Sequence, residues 1–230
     1  MASPPHAQLT FDLPHRTALE RSDFLVSTCN AQAVALIDGW RDWPGRRLAL
    51  TGAARAGKSH LTHVWQALSG AKVIAACDLA HGVLPKGALV AVEDVDQIAS
   101  LSEQNRRLAE ETLFHLYNRQ AGEGGYLLLS GAEVPARWAS LLPDLRSRLA
   151  TLTVARIEPP DDMLLSSLMV KHFNDRQIRV APDAIAFMVR RMERSCAAAE
   201  DLVERLDAAS LTRKRALTIP FVREVTGWKG

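Results

Sequence analysis

Apolar residues follow two rhythms along this chain, and the change falls near residue 159. Before it, short and nearly unbroken apolar runs recur: "RRLALTG", "KVIAAC", "GALVAVED", "GEGGYLLLSG" and "LTVARI". Each is bounded by glycine, other turn residues or charge, the form taken by parallel strands buried on both faces. Between the runs the spacing is helical. "KSHLTHVWQALSG" sets Leu61, Val64, Trp65 and Leu68 on one stripe with Gly70 at its end. Leu108, Leu113, Leu116 and Tyr117 form a second stripe, and Ala31, Val34, Leu36 and Ile37 a third that begins near Asn30. Strands alternating with helices predict a doubly wound α/β domain. Past "IEPPDD" no such run returns, and "DDMLLSSLMVKHFNDR", "APDAIAFMVRRM", "AAAEDLVERLDAASLTRKR" and "IPFVREV" read as four helices with acidic, Ser or Pro starts. The expected organisation is a flexible, Pro-rich and polar arm over 1–22, an α/β core over 23–158 and a small all-helical domain over 159–230.

Composition narrows the class without choosing a partner. With 47% hydrophobic and 23% charged residues the chain has the balance of a soluble globular protein, and a net charge of +2 is too mild to mark a nucleic-acid binder. Cys29, Cys77 and Cys196 are scattered and never in a C-x-x-C arrangement, which points to a reducing compartment and to buried thiols acting as small hydrophobes. "MASPPHAQLTFDLPH" lacks the basic start and apolar run of a secretion signal, and no stretch has the length that spans a bilayer. A cytoplasmic protein with no membrane contact is expected.

Chemistry enters at "GAARAGKS", residues 52–59, a G-x-x-x-x-G-K-S pattern between a strand and a helix. Gly52 and Gly57 permit the tight, partly left-handed turn that aims backbone N–H groups at phosphate oxygens. Lys58 is placed to reach the β- and γ-phosphates and Ser59 to hold magnesium, while the helix that follows adds its positive end. Nucleotide binding is therefore expected. A magnesium-dependent NTPase also needs a carboxylate at the end of a neighbouring strand, and "LVAVEDVDQ" offers Glu93 and Asp94. The usual order is Asp then Glu, the first in the magnesium shell and the second orienting water. Here it is reversed, which sets Asp94 one methylene, ~1.5 Å, further from a nucleophile, and misplacement on that scale slows catalysis. His60 and His63, i and i+3 on the following helix, have no supporting carboxylate and read as packing residues rather than metal ligands. "TRKR" (Thr212 to Arg215) reads as solvated charge at a helix end, and the five tryptophans as packing or interface residues.

"FLVSTCNAQAV", "GKSHLTH", "VEDVDQI", "FHLYNRQAGEGGYLLLSG", "LRSRLATLTVARIEPPDD" and "RALTIPFVREV" together resemble the DnaA family of AAA+ replication initiators, from about residue 23 onward. "FHLYNR", "LPDLRSRL" and "LTIPFV" are most similar to its short Hda branch, which lacks the initiator's C-terminal duplex-binding domain. The resemblance implies a P-loop AAA+ αβα core followed by a helical lid, holding ADP or ATP with magnesium. It assigns nucleotide contacts to Leu25, Asn30, Gly52, Ala53, Ala54, Arg55, Ala56, Gly57, Lys58, Ser59 and His60, and the metal to Ser59 and Glu93. It implies that "QLTFDL", with Gln8 for polar capture and Leu9, Phe11 and Leu13 as apolar anchors, docks on the DNA polymerase sliding clamp. It places an arginine finger at Arg148, offered in trans to the ATP site of DnaA, with Arg146 as its rival.

The departures from the family pattern shape the expected activity. The aspartate of the first nucleotide sensor aligns with Ala132 and the arginine of the second with Ala197, leaving Arg194 almost one turn earlier. With the acids reversed and both sensors missing, the nucleotide is expected to be held rather than burned, and hydrolysis to be stimulated in DnaA. An ATPase acting on its own ATP, a clamp adaptor without finger chemistry and a helicase-loader-like protein remain as alternatives. Self-association stays open, and contact with DNA is expected to be indirect.

Overall fold

A computed structural model describes residues 24–228. Five parallel strands, β1 (Arg47–Thr51), β2 (Lys72–Ala75), β3 (Leu89–Glu93), β4 (Tyr126–Gly131) and β5 (Thr153–Arg156), form one sheet in the order β2-β3-β4-β1-β5. Helices α1 (Ala31–Asp38), α2 (Lys58–Ser69), α3 (Glu103–Gly122) and α4 (Pro143–Ala150) belong to this layer structure. The register explains the unbroken apolar runs. β1 lies between β4 and β5, with Leu48 beside Leu128 and Thr153. Alternate residues of β1 therefore feed opposite faces. Leu48 and Leu50 join Val34, Ile37, Leu61 and Trp65 on one side, while Ala49 joins Leu113, Leu116, Leu145 and Leu149 on the other. Since both faces are covered, the middle of the strand, Leu48 to Leu50, is apolar throughout.

The helical stripes are placed with three differences. Ala33 is buried in place of Ala31, which is exposed at the first turn of α1. In α2 the buried stripe ends at Trp65, whose ring stacks on Trp43 with centroids 5.2 Å apart, and Leu68 is 48% exposed. In α3 the inward row runs Ala109, Leu113, Leu116 and Tyr117, so Leu108 stands one position off it and covers the turn at Gly82 instead. Cys77 is exposed and Cys29 and Cys196 are only half-buried, so the reading of three buried thiols fails at the first and holds in part at the other two.

Four helices follow: α5 (Asp162–Asp175), α6 (Pro182–Val189), α7 (Cys196–Arg213) and α8 (Ile219–Thr226). Their starts follow from their chemistry. Asp161 and Ser195 accept backbone N–H groups of Leu164 and Ala198, and Pro182 and Pro220 stand in first turns where a missing N–H costs nothing. Leu165, Phe173, Met188, Val203, Leu206 and Phe221 close a separate core.

The two units are stitched at Ile157–Asp161. Ile157 N donates to Thr51 O at 2.8 Å, Glu158 N to Cys29 O at 2.9 Å, and Thr28 Oγ1 to Asp161 Oδ2 at 3.0 Å. Among the described residues no helix is long and apolar enough to cross a membrane.

Candidate functional site

β1 delivers the chain to Gly52, where a side chain has no room. A Cβ there would stand 3.0 Å from Ile157 Cβ and 3.1 Å from its carbonyl oxygen. Gly57 has φ +101°, and a Cβ would stand 2.7 Å from the ring of Phe24. Both loop glycines are thus required by the backbone and by close neighbours. Gly57 caps α2, and Lys58 follows, only 8% exposed, its Nζ donating to Gly52 O at 2.9 Å and Ala53 O at 3.0 Å. Ser59 is exposed, and the ring of His60 meets Phe24 edge-on at 5.1 Å. His63 Nδ1 lies 2.6 Å from Ser59 O, as a donor in that tautomer.

Leu25 and Asn30 act together. Asn30 is buried; its Nδ2 donates to Leu25 O and its Oδ1 accepts from Ser27 N, each at 2.9 Å. The amide is spent on shaping the turn that presents Leu25, which opens on a cleft of about 510 Å³ against Ser167, Val170 and Asn174 of α5.

The acids at the end of β3 divide. Asp94 takes a left-handed conformation (φ 57°, ψ 47°) and donates its N–H to Ser130 Oγ at 3.2 Å. With Asp96 it lines a cleft of about 530 Å³ that also holds Lys58, Ser59 and His60. Glu93 is half-buried on the strand, and its Oε1 is enclosed without a hydrogen-bond partner. Asp96 was not singled out from the sequence. Its Oδ2 accepts the N–H of Ala132 at 2.9 Å, and its Oδ1 is enclosed without a partner. The signal was available: a third acid two residues after Asp94, opposite Ala132, which the resemblance aligns with a sensor aspartate. Among the described residues no three His, Cys, Asp or Glu side chains form a ready-made metal cage. An orphaned oxygen in the cleft with Lys58 and Ser59, Asp96 Oδ1, and a second at the end of β3, Glu93 Oε1, nevertheless fit magnesium, which keeps waters and phosphate oxygens in its shell.

The helical unit reaches this loop directly. Arg55, at φ 58°, pairs with Asp201 and, at 3.7 Å, with Glu200, both on α7. The hydrogen bond to Asp201 and the two carboxylates hold its guanidinium more firmly protonated than usual. Arg194 pairs with Asp162 at 2.6 Å. A cleft of about 510 Å³ runs between Gly52, Ala132 and Arg156 on one side and Arg194 and Cys196 on the other.

Arg148 stands apart on α4. It is exposed, and its guanidinium carbon lies 5.4 Å from the ring centroid of Phe114 and 5.6 Å from that of Tyr117. Among the described residues it has no ion pair, not even with Asp144 one turn earlier. This segment carries no element signal of its own, because "PDLRSRLA" is short and only Leu145 and Leu149 point inward.

Residues 162–226 match the family described as Hda, lid domain. Domain III of the replication initiation protein DnaA from Thermotoga maritima superposes with a TM-score of 0.76 at 16% identity, over 94% of this chain and 98% of that one. AMPPCP-bound DnaA from Aquifex aeolicus gives 0.65 at 16% identity, over 84% and 67%. The RuvB Holliday junction branch migration motor of Thermotoga maritima gives 0.60 at 13% identity, over 86% and 66%. The chain carries an Hda-type lid on a DnaA-type AAA+ fold. Ala132 and Ala197 are the positions that the sequence resemblance aligns with the two sensors. Asp96 sits against the first, and the guanidinium of Arg194, near the second, is held by Asp162. Gln8, Leu9, Phe11 and Leu13 lie outside the described residues. Arg213 and Arg215 of "TRKR" both pair with Glu224 of the lid, so their charge is engaged within the chain.

Proposed function

We propose that this chain is an adenine-nucleotide-binding regulator of replication initiation that stimulates ATP hydrolysis by DnaA. The observation that carries the reading is Arg148: an exposed guanidinium on a short helix, resting on aromatic rings and free of any carboxylate among the described residues. A finger must be kept unpaired to meet another molecule's phosphate, and one supplied in trans raises hydrolysis ~10³ to 10⁵-fold.

The chain's own nucleotide, ADP or ATP, lies along residues 52–60 with its base towards Leu25. Backbone N–H groups and Lys58 bind the phosphates, and Arg55 ties the loop to the lid. Ser59 and Glu93 would hold magnesium, which neutralises phosphate charge. The nucleotide fixes the lid on the core, and Arg148 is presented outward to the ATP site of DnaA. Docking through Gln8, Leu9, Phe11 and Leu13 on the sliding clamp couples this encounter to clamp loaded on DNA. A second reading, an ATPase acting on its own ATP, draws support from Asp94 and Asp96 at the phosphate cleft.

The test is phosphate release from ATP-loaded DnaA, with clamp on DNA, as trace amounts of this protein are added. Hydrolysis that requires every component and collapses with Arg148→Ala supports the activator. Turnover by this protein alone at the same rate, abolished by Lys58→Ala, supports the ATPase instead. Hydrolysis indifferent to Arg148→Ala but lost on deleting residues 8–13 leaves a clamp adaptor without finger chemistry.

A further inference from the structure

Glu110 is the one carboxylate of α3 that is buried, 2% exposed, and nothing in the nucleotide site uses it. It is not idle. Its Oε1 accepts from Arg106 Nε at 3.0 Å, and its Oε2 from Ser140 Oγ at 2.9 Å, Leu141 N at 2.7 Å and Leu142 N at 3.1 Å. Arg106 Nη2 donates in turn to Ala139 O at 3.0 Å. One ion pair on α3 therefore grips four successive residues, 139–142, that are far away in sequence.

Leu142 is the N-cap position of α4, and its side chain cannot cap. The N-terminal end of α4 is thus fixed from outside by the Glu110 carboxylate. Six residues further on, α4 carries Arg148. Its guanidinium lies over Phe114 and Tyr117, which follow Glu110 on α3 at i+4 and i+7, the spacing of one helical stripe. A single face of α3 indexes both the start of α4 and the arginine near its end.

We propose that Glu110 is a positioning residue for Arg148: through Leu141 and Leu142 it sets where α4 begins, and so where the guanidinium stands. This rests on the reading of Arg148 as a finger. Burying a carboxylate is costly unless it is paired and fully hydrogen-bonded, and Glu110 meets both conditions with donors drawn from one loop. Truncating it leaves the Leu141 N–H without an acceptor, the Leu142 N–H with Ser140 Oγ alone and Arg106 with Ala139 O alone, and the turn that starts α4 loosens.

Two readouts on the full chain test this. The first needs no partner. Arg148 lies beside two aromatic rings, so ring currents shift its side-chain resonances, assigned by loss in Arg148→Lys. Glu110→Ala and Glu110→Gln should return those resonances towards solvent-exposed values, while lid methyls of Leu165, Val203 and Val222 stay in place and report an intact fold. Ser140→Ala, which removes one donor without touching α3, should give a smaller change in the same direction. The second readout is DnaA-dependent hydrolysis, titrated with each variant. Glu110→Ala should lower the maximum by roughly 10- to 100-fold, the scale of a small misplacement, with the half-saturating concentration within about twofold. Glu110→Gln, which keeps one carbonyl oxygen for the strap, should lose less.

Arg148 resonances unmoved in both Glu110 variants overturn the proposal, and so does an unchanged maximum. A merely structural role would raise the half-saturating concentration by removing folded protein and leave the maximum alone. If the wild-type chain stimulates no hydrolysis, the finger reading falls, and the resonances alone decide whether Glu110 positions Arg148.

Discussion

Arg55 and Arg148 are both exposed arginines close to the ends of parallel strands, yet they are held in opposite ways. Arg55 is committed inside the chain, to Asp201 and Glu200 of the lid. Arg148 is supported by the faces of Phe114 and Tyr117, which orient a cation without neutralising it. The difference teaches how one residue type serves two purposes: a carboxylate partner makes a latch, and an aromatic rest makes a guanidinium that remains available to an outside anion.

Substitutions at these and neighbouring residues put the contrast to the test. The largest effect is expected from Arg148→Ala, which should cut stimulated hydrolysis ~10³-fold or more and leave the melting temperature in place. Arg146→Ala, on the same helix without the aromatic rest, should do little, and a larger loss there would reverse the assignment. Next is Lys58→Ala. A charge-assisted contact contributes about 1.5–3 kcal/mol, so binding of a fluorescent ADP should weaken by roughly 10- to 100-fold; unchanged affinity would remove the loop from the nucleotide site.

Smaller is the effect at the hinge. Asp161→Ala removes the cap of α5 and should cost about 1 kcal/mol, read as faster hydrogen exchange in the lid before the sheet. The Leu164 N–H, with the Thr28 and Ser27 hydroxyls, holds the Asp161 carboxyl below its ordinary value of 3.8. Its contribution is present above that value and is lost as pH falls through the folded-state value. Burial likewise keeps the His172 imidazole below 6.5. Folding there disfavours the proton, so lid stability should be full above pH 6.5 and decline as pH drops beneath it. A lid equally protected at pH 7.5 and 5 would contradict this. The smallest effect belongs to Arg55→Ala, since exposed pairs are screened. Lid exchange should rise slightly at low salt and match the wild type at high salt.

What could be read from the sequence was what local pattern determines. The strands show because burial on both faces keeps "LAL" (48–50) and "LLL" (127–129) apolar. The phosphate loop shows because Gly52 and Gly57 meet backbone demands that few sequences satisfy by chance. The lid helices announce themselves at Asp161, Ser195 and the prolines. Pairings across distance left no such trace. Glu110 looks like any acid on a charged helix, since its acceptors serve residues thirty positions on. Arg55 gives no hint of α7. Asp96 gains its meaning only from Ala132, just past the end of the neighbouring strand β4.

The strand order has a consequence for timing. β1 hydrogen-bonds only to β4 and β5 and has no ladder with β2 or β3. A chain growing from its N-terminus therefore emits the phosphate loop long before the strand beneath it has a neighbour. Until residues 126–156 have left the ribosome, the loop has no fixed floor, and Gly52 has no Ile157 to pack against. Such long-range closure is slow. The nucleotide binding proposed above can thus begin only at the end of synthesis of the core, and a nascent chain stalled before β4 carries the whole "GAARAGKS" segment with no means of shaping it.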